Sequence, residues 1–183
     1  MGRTAEASGY RVYLVGGAVR DMILGREVKD VDFVVEGDAV DLAKRVAERF
    51  GADLHPFPEF GTAHLKVGNF KLEFATARRE TYPRPGSYPK VERASLKEDL
   101  IRRDFTINAL AVSINPGDFS TLIDFFGGLK DLKEGSDKGP ASCQLHRGPG
   151  EGSEGSEICG KVQLQNIQKH RETPQAGGKA RAS

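Results

Sequence analysis

The chain has 183 residues, with 27 Lys and Arg against 26 Asp and Glu, a formal net charge of +1 and 38% hydrophobic residues. That suits one medium domain better than two, and it excludes a global cationic field, so a nucleic-acid partner must be held by a local basic patch. No apolar run approaches the roughly 20 residues of a spanning helix, and Cys143 and Cys159 have neither metal-site spacing nor disulfide density. The chain reads as cytoplasmic, with no membrane partner and no protein partner evident.

In chain order, residues 11–15 read as a buried strand, Gly16-Gly17 as a turn and 18–24 as a short helix stopped by Gly25. Residues 31–35 form a second strand. Asp38 caps an amphipathic helix whose apolar face is Ala39, Leu42, Ala43, Val46, Ala47 and Phe50, with Gly51 ending it. Residues 64–67 and 70–75 alternate about Gly68-Asn69, a pair suited to a tight hairpin turn. Residues 81–91 hold Pro83, Pro85, Gly86 and Pro89 and read as a mobile loop. Ser95 followed by Glu98 predicts a capping box opening a helix over 95–102, and 107–114 and 121–125 add apolar segments. The sum is an α/β (α+β) domain on a small mixed sheet, spanning 1–134.

Composition breaks near residue 135. All 14 aromatics precede it, whereas 135–183 holds nine Gly and only five Ile, Leu or Val. That is too little apolar area to offset the chain entropy of ordering, so the tail is expected to be disordered.

Four features could carry chemistry. Asp30 and Asp32 lie two apart on a strand, hence on one face, while Val31 and Phe33 enter the core on the other. Such a pair suits Mg²⁺, which takes carboxylates together with substrate phosphates; it also suits two solvated acids at a strand start. Glu73, on the strand face opposite Phe70, Leu72 and Phe74, could join them across adjacent strands and complete a two-metal site, or could be a solvated hairpin residue. Gly16-Gly17 sits between a strand and a helix start, where glycine lets the backbone approach phosphate oxygens and Arg20 could add a forked contact; a bare tight turn uses the same glycines. Arg102-Arg103 could bind phosphate or merely favour a helix dipole. His55 and His64 lack acidic or cysteine ligand spacing and read as structural.

Tyr13-Leu14-Val15-Gly16-Gly17-Ala18-Val19-Arg20-Asp21, Leu24-Gly25, Lys29-Asp30-Val31-Asp32-Phe33-Val34 and Arg102-Arg103-Asp104-Phe105-Thr106-Ile107-Asn108-Ala109 occur in this order. Together they closely resemble the head domain of class II tRNA nucleotidyltransferases and bacterial poly(A) polymerases, over about residues 10 to 134. The resemblance implies a polymerase β-like head in which Asp30 and Asp32 hold Mg²⁺, with Glu73 as the third acid. Gly16, Gly17 and Arg20 would meet the nucleotide phosphates, and Arg103 would help bind incoming CTP or ATP. The implied reaction transfers NMP to the 3′ end of a tRNA with release of pyrophosphate. The family's neck carries a Glu-Asp-x-x-Arg base selector. Here Glu98-Asp99-Leu100-Ile101-Arg102 precedes the arginine motif inside the head, so it is not that selector.

The tail becomes intelligible in another reading frame. Residues 145–153, written CTT CAT AGA GGA CCC GGT GAG GGT TCT and read one base later, give Phe-Ile-Glu-Asp-Pro-Val-Arg-Val-Leu, a neck-like segment with a selector. Residues 136–140 shifted the same way give Val-Ile-Arg-Val-Leu. Residues 135–183 are therefore expected to be a frameshifted neck remnant, leaving the head truncated and weakly active or inactive. The rival readings are a non-enzymatic Mg²⁺-nucleotide-binding module, a poly(A) polymerase, and a small nucleotidyltransferase for a non-RNA acceptor.

Overall fold

The computed structural model describes residues 1–84, 88 and 90–135, together with the backbone of Gly160–Lys161. The expectation of a disordered tail thus falls almost wholly outside the described residues, as do residues 85–87 and 89 of the expected 81–91 loop.

The chain opens with helix α1 (Gly2–Ala7), strand β1 (Arg11–Val15), helix α2 (Gly17–Ile23) and strand β2 (Asp30–Glu36). Helix α3 (Ala39–Phe50) starts where the Asp38 side chain accepts a hydrogen bond from the Asp41 amide, and it stops at Gly51, which takes left-handed φ. Strands β3 (Asp53–Phe57), β4 (Thr62–Val67) and β5 (Phe70–Thr76) follow, then the ribbon strands β6 (Arg78–Thr81) and β7 (Lys90–Arg93). Helix α4 (Leu96–Ile101) begins with the predicted capping box between Ser95 and Glu98. Strands β8 (Ala111–Ser113) and β9 (Thr121–Ile123), helix α5 (Gly128–Glu134) and the two-residue strand β10 (Gly160–Lys161) complete the described elements.

The main sheet runs β10-β9-β8-β1-β2-β5-β4-β3. Among the described strands only β2 and β5 pair in parallel, which makes the sheet mixed and requires a crossover between them, supplied by α3, β3 and β4. One face of the sheet packs Val12, Leu14, Phe33, Val35, Ala63, Leu65 and Phe74 against Leu42, Ala43 and Val46 of α3 and Val19 of α2. Each large aliphatic side chain buried there is worth roughly 1.5 to 3 kcal/mol of apolar transfer. On the other face α4 covers Tyr13, Val15, Val34 and Ala111 with Leu96 and Leu100. Among the described residues no helix is long and apolar enough to cross a membrane.

The predicted strands at the start, the α3 face and the Gly68-Asn69 hairpin are where the sequence places them. Two expectations change. Phe50 is 57% exposed, because as the last residue of α3 it lines a surface cleft beside Met1, Arg49 and Phe119. Thr81, Lys90 and Val91 belong to a ribbon, not a loop, with Thr81 opposite Lys90. Its strands are joined by charge pairs such as Arg79 with Glu92 at 2.8 Å, so they show no apolar alternation. Strand β3 adds an element to those read from the sequence; it carries Pro56 at the sheet edge, where a missing donor is tolerated.

Candidate functional site

Strand register assembles the acids. Asp32 of β2 stands opposite Glu73 of β5, and Glu73 stands opposite His64 of β4, so the three occupy one transverse row. Alternation carries that row on the face away from α3, because Phe33 and Phe74, the next residues, stack at 5.1 Å in the core. Asp30 is exposed at the first position of β2, paired with Lys71. Asp32 is half-buried, and burial first, then the Glu73 carboxylate, push its carboxyl above the ordinary range; the Arg103 guanidinium opposes them.

The glycine turn and the arginines close the other side. Val15, at the end of β1, pairs with Asp32, so Gly16 lies beside that carboxylate. Gly16 has φ 72° and ψ −137°, a conformation open to glycine, and a Cβ there would come within 3.0 Å of Arg103 Nη1 and 3.9 Å of Asp32 Oδ2. Arg103 follows α4 and is mostly buried; desolvation pulls it below the usual guanidinium range while Asp99 counters. Arg20 donates from both Nε and Nη2 to Asp21 and from Nη1 to the Asn108 side chain at 2.9 Å.

A cleft of about 330 Å³ is lined among others by Asp32, Glu73, Arg78, Arg102 and Arg103. A larger one of about 550 Å³ lies next to it over the N-terminus of α3 and shares Phe60, Thr76 and Arg78, but it contains none of the row of acids. Of the two, the smaller cleft holds the Asp32 and Glu73 carboxylates.

Of the residues singled out in the sequence, the fold brings together Asp32, Glu73, Gly16 and Arg103. Asp30 stands at the rim, Gly17 opens α2, and Arg20 reaches the site through Asn108. Sequence reasoning missed three participants. Asn108 ties the two halves, since its side chain takes Arg20 and its carbonyl accepts from Arg103 at 3.5 Å. Asp99 anchors the arginines from within the core. His64, expected to be structural, is half-exposed, with Nε2 3.4 Å from Glu73 Oε2. Only strand pairing shows the last of these.

The donor chemistry fits a hard divalent cation. The Asp32 and Glu73 carboxylates stand side by side on one strand face with the Arg103 guanidinium beside Asp32, and magnesium takes one or two carboxylates plus phosphate oxygens and waters. Among the described residues no group of three or more His, Cys, Asp and Glu side chains is grouped closely enough to hold an ion alone.

Residues 12–136 match the family model for the poly A polymerase head domain. An A-adding tRNA nucleotidyltransferase of Aquifex aeolicus is 74% identical over 124 residues, covering 68% of this chain and 15% of that protein. A crystal structure of a tRNA nucleotidyltransferase complexed with a primer tRNA and an incoming ATP analog superimposes with a TM-score of 0.64 at 64% identity, over 72% of this chain and 36% of the other. A tRNA-processing enzyme with CTP gives 0.63 and 64%, over 72% and 33%. This chain thus spans about a third or less of the length of these proteins. With the glycine turn, the strand acids and the arginine motif all inside the matched region, the chain belongs to the poly A polymerase head-domain family of the class II tRNA nucleotidyltransferases.

Proposed function

We propose that this chain is the head of an RNA 3′-end nucleotidyltransferase acting in the cytoplasm, which binds CTP or ATP with Mg²⁺ and transfers NMP to the 3′-hydroxyl of a tRNA. The observation that carries the reading is that Asp32, Glu73 and Arg103 line one cleft, with Gly16 against Arg103 and Asp32. Asp30 and Asp32 would hold the cation, with Glu73 as the third acid. Bound Mg²⁺ would supply Lewis acidity to the attacking hydroxyl and to the departing phosphate oxygens.

The remaining work falls to the chain's own groups. Gly16 and Gly17 leave the backbone bare where α2 begins, so phosphate oxygens can approach the amides. Arg103, held in a partly desolvated position, stabilises charge that grows on the leaving pyrophosphate. Arg20 would add a contact if it turned one fork from Asp21. None of these groups reads a base edge, so the head is expected to bind CTP and ATP with similar affinity and to extend tRNA poorly. Titration calorimetry with each nucleotide, with and without Mg²⁺, tests the site. Incubation with labelled nucleotide and tRNA lacking its terminal CCA or its terminal A tests the transfer.

We also propose that residues 1–134 form the head and that 135–183 are a neck remnant read one base out of frame. The family match ends at residue 136, close to the break in composition, which supports this reading. The gene sequence tests it: codons whose middle bases cannot yield the shifted neck would remove it.

A further inference from the structure

We infer that His55, His64 and Glu73 form a binding site for a zinc-class transition-metal ion, which shares only Glu73 with the magnesium site proposed above. Strand register builds it. His55 of β3 pairs with His64 of β4, and His64 pairs with Glu73 of β5, so the three occupy consecutive places in one row. Residues directly opposite in an antiparallel pair share a face, with Cβ atoms roughly 4.5 to 5.5 Å apart. Their neighbours in the chain, Leu54, Leu65 and Phe74, pack into the core, so the row faces away from α3, and all three side chains are exposed.

The spacing of the donor atoms agrees with a tetrahedral ion. His64 Nε2 lies 3.4 Å from Glu73 Oε2. Nitrogen and oxygen ligands bound to zinc at roughly 2.0 to 2.1 Å stand roughly 3.3 Å from one another in a tetrahedron, so this pair already spans one edge. The three side chains do not close around an ion as they stand. His55, exposed on the edge strand, closes the third position by turning to another rotamer, and water can fill the fourth. The Phe57 ring, 5.1 Å from the His64 ring between centroids, gives the site an apolar wall. Two imidazoles and one carboxylate suit zinc, whereas magnesium prefers oxygen donors throughout. The opposing charges on this face are Lys66 and Lys71, two residues along β4 and β5, with Asp53 opposite Lys66 and Asp32 opposite Glu73 as further acids.

The test titrates Zn²⁺ alone into the full chain at about pH 7.5, above the ordinary imidazole range. Imidazole ¹H–¹⁵N signals locate the ion and calorimetry gives its affinity. Cys143, His146, Cys159 and His170 are also zinc-ligand residue types and lie outside the described residues, so the readout has to be specific to residue. The His55 and His64 signals should move together and saturate, and Mg²⁺ at the same concentration should leave the His55 signal in place. His55→Ala and His64→Ala should each weaken one binding event about tenfold or more, with backbone amide spectra showing that both variants are folded. Zinc that leaves the His55 and His64 signals unmoved overturns the inference, as does zinc affinity unchanged in either folded variant, or a His55 signal that responds equally to Mg²⁺.

Discussion

The carboxylate of Asp99, fully buried, accepts hydrogen bonds from Arg102 Nη2 at 2.9 Å and Nε at 3.2 Å. Its second oxygen has no hydrogen-bond partner and faces Arg103 at 3.6 Å, and the first also takes the Arg78 amide at 3.2 Å. A six-residue helix thus sets two consecutive arginines from one acid at i+3 and i+4. Asp99→Asn keeps the amide contact and removes the charge that restrains both guanidinium groups. Breaking a buried pair costs about 3 to 5 kcal/mol; Arg102 remains about a third exposed, so about 2 kcal/mol is expected. Urea unfolding reads that loss, and Mg²⁺-ATP binding should weaken with it. An unchanged midpoint would show that the arginines are held by other contacts.

Asp32→Asn should separate stability from binding. Burial and Glu73 raise the folded carboxyl above its unfolded value, so the ionised form opposes folding once pH exceeds the ordinary carboxylate range. The parent should gain stability from this group as pH falls from the folded value toward the unfolded one. Removing the charge should raise Tm at neutral pH, while Mg²⁺-nucleotide affinity drops tenfold or more. A lower Tm together with unchanged Mg²⁺-dependent binding would falsify the assignment.

Gly16→Ala probes the turn. The positive φ and the approach to Arg103 both penalise a methyl group, by roughly 1 to 3 kcal/mol together. Nucleotide affinity should also fall, because the methyl would point at Arg103 and Asp32. Thermal unfolding and calorimetry on one sample decide it, and a variant as stable as the parent would mean that the turn relaxes freely.

Asp38→Ala isolates a cap remote from the acids. Loss of the Asp41 amide acceptor should cost about 1 kcal/mol, with little more from the exposed pair with Arg93 at 2.9 Å. Nucleotide affinity should not move. A large loss of binding would show that α3 communicates with the cleft.

Much of this was legible in the sequence where local rules act alone. The Asp38 and Gly51 caps, the Ser95–Glu98 box and the Gly68 turn each depend on residues a few positions apart, and each is found. The facing of Asp32 was legible too, since alternation fixes it once Phe33 is in the core. What stayed hidden depends on pairing between distant strands. Nothing near His64 announces that Glu73 lies opposite it, and nothing near Asn108 announces Arg20. Helix α5 also lies beyond local rules, since its N-terminus offers Gly127-Gly128 and no capping side chain. The buried Asp124 carboxylate accepts from the Gly128 and Leu129 amides and starts the helix without a local cap.

The central claim is that Asp32 and its neighbours form a Mg²⁺-nucleotide site, and calorimetric titration of ATP and CTP into the parent and into Asp32→Asn tests it most directly. The account predicts Mg²⁺-dependent binding of both nucleotides to the parent, with similar affinities, and loss of the Mg²⁺ dependence in the variant. Binding that is equal in the two proteins, or that is unaffected by removing Mg²⁺ with a chelator, would contradict it.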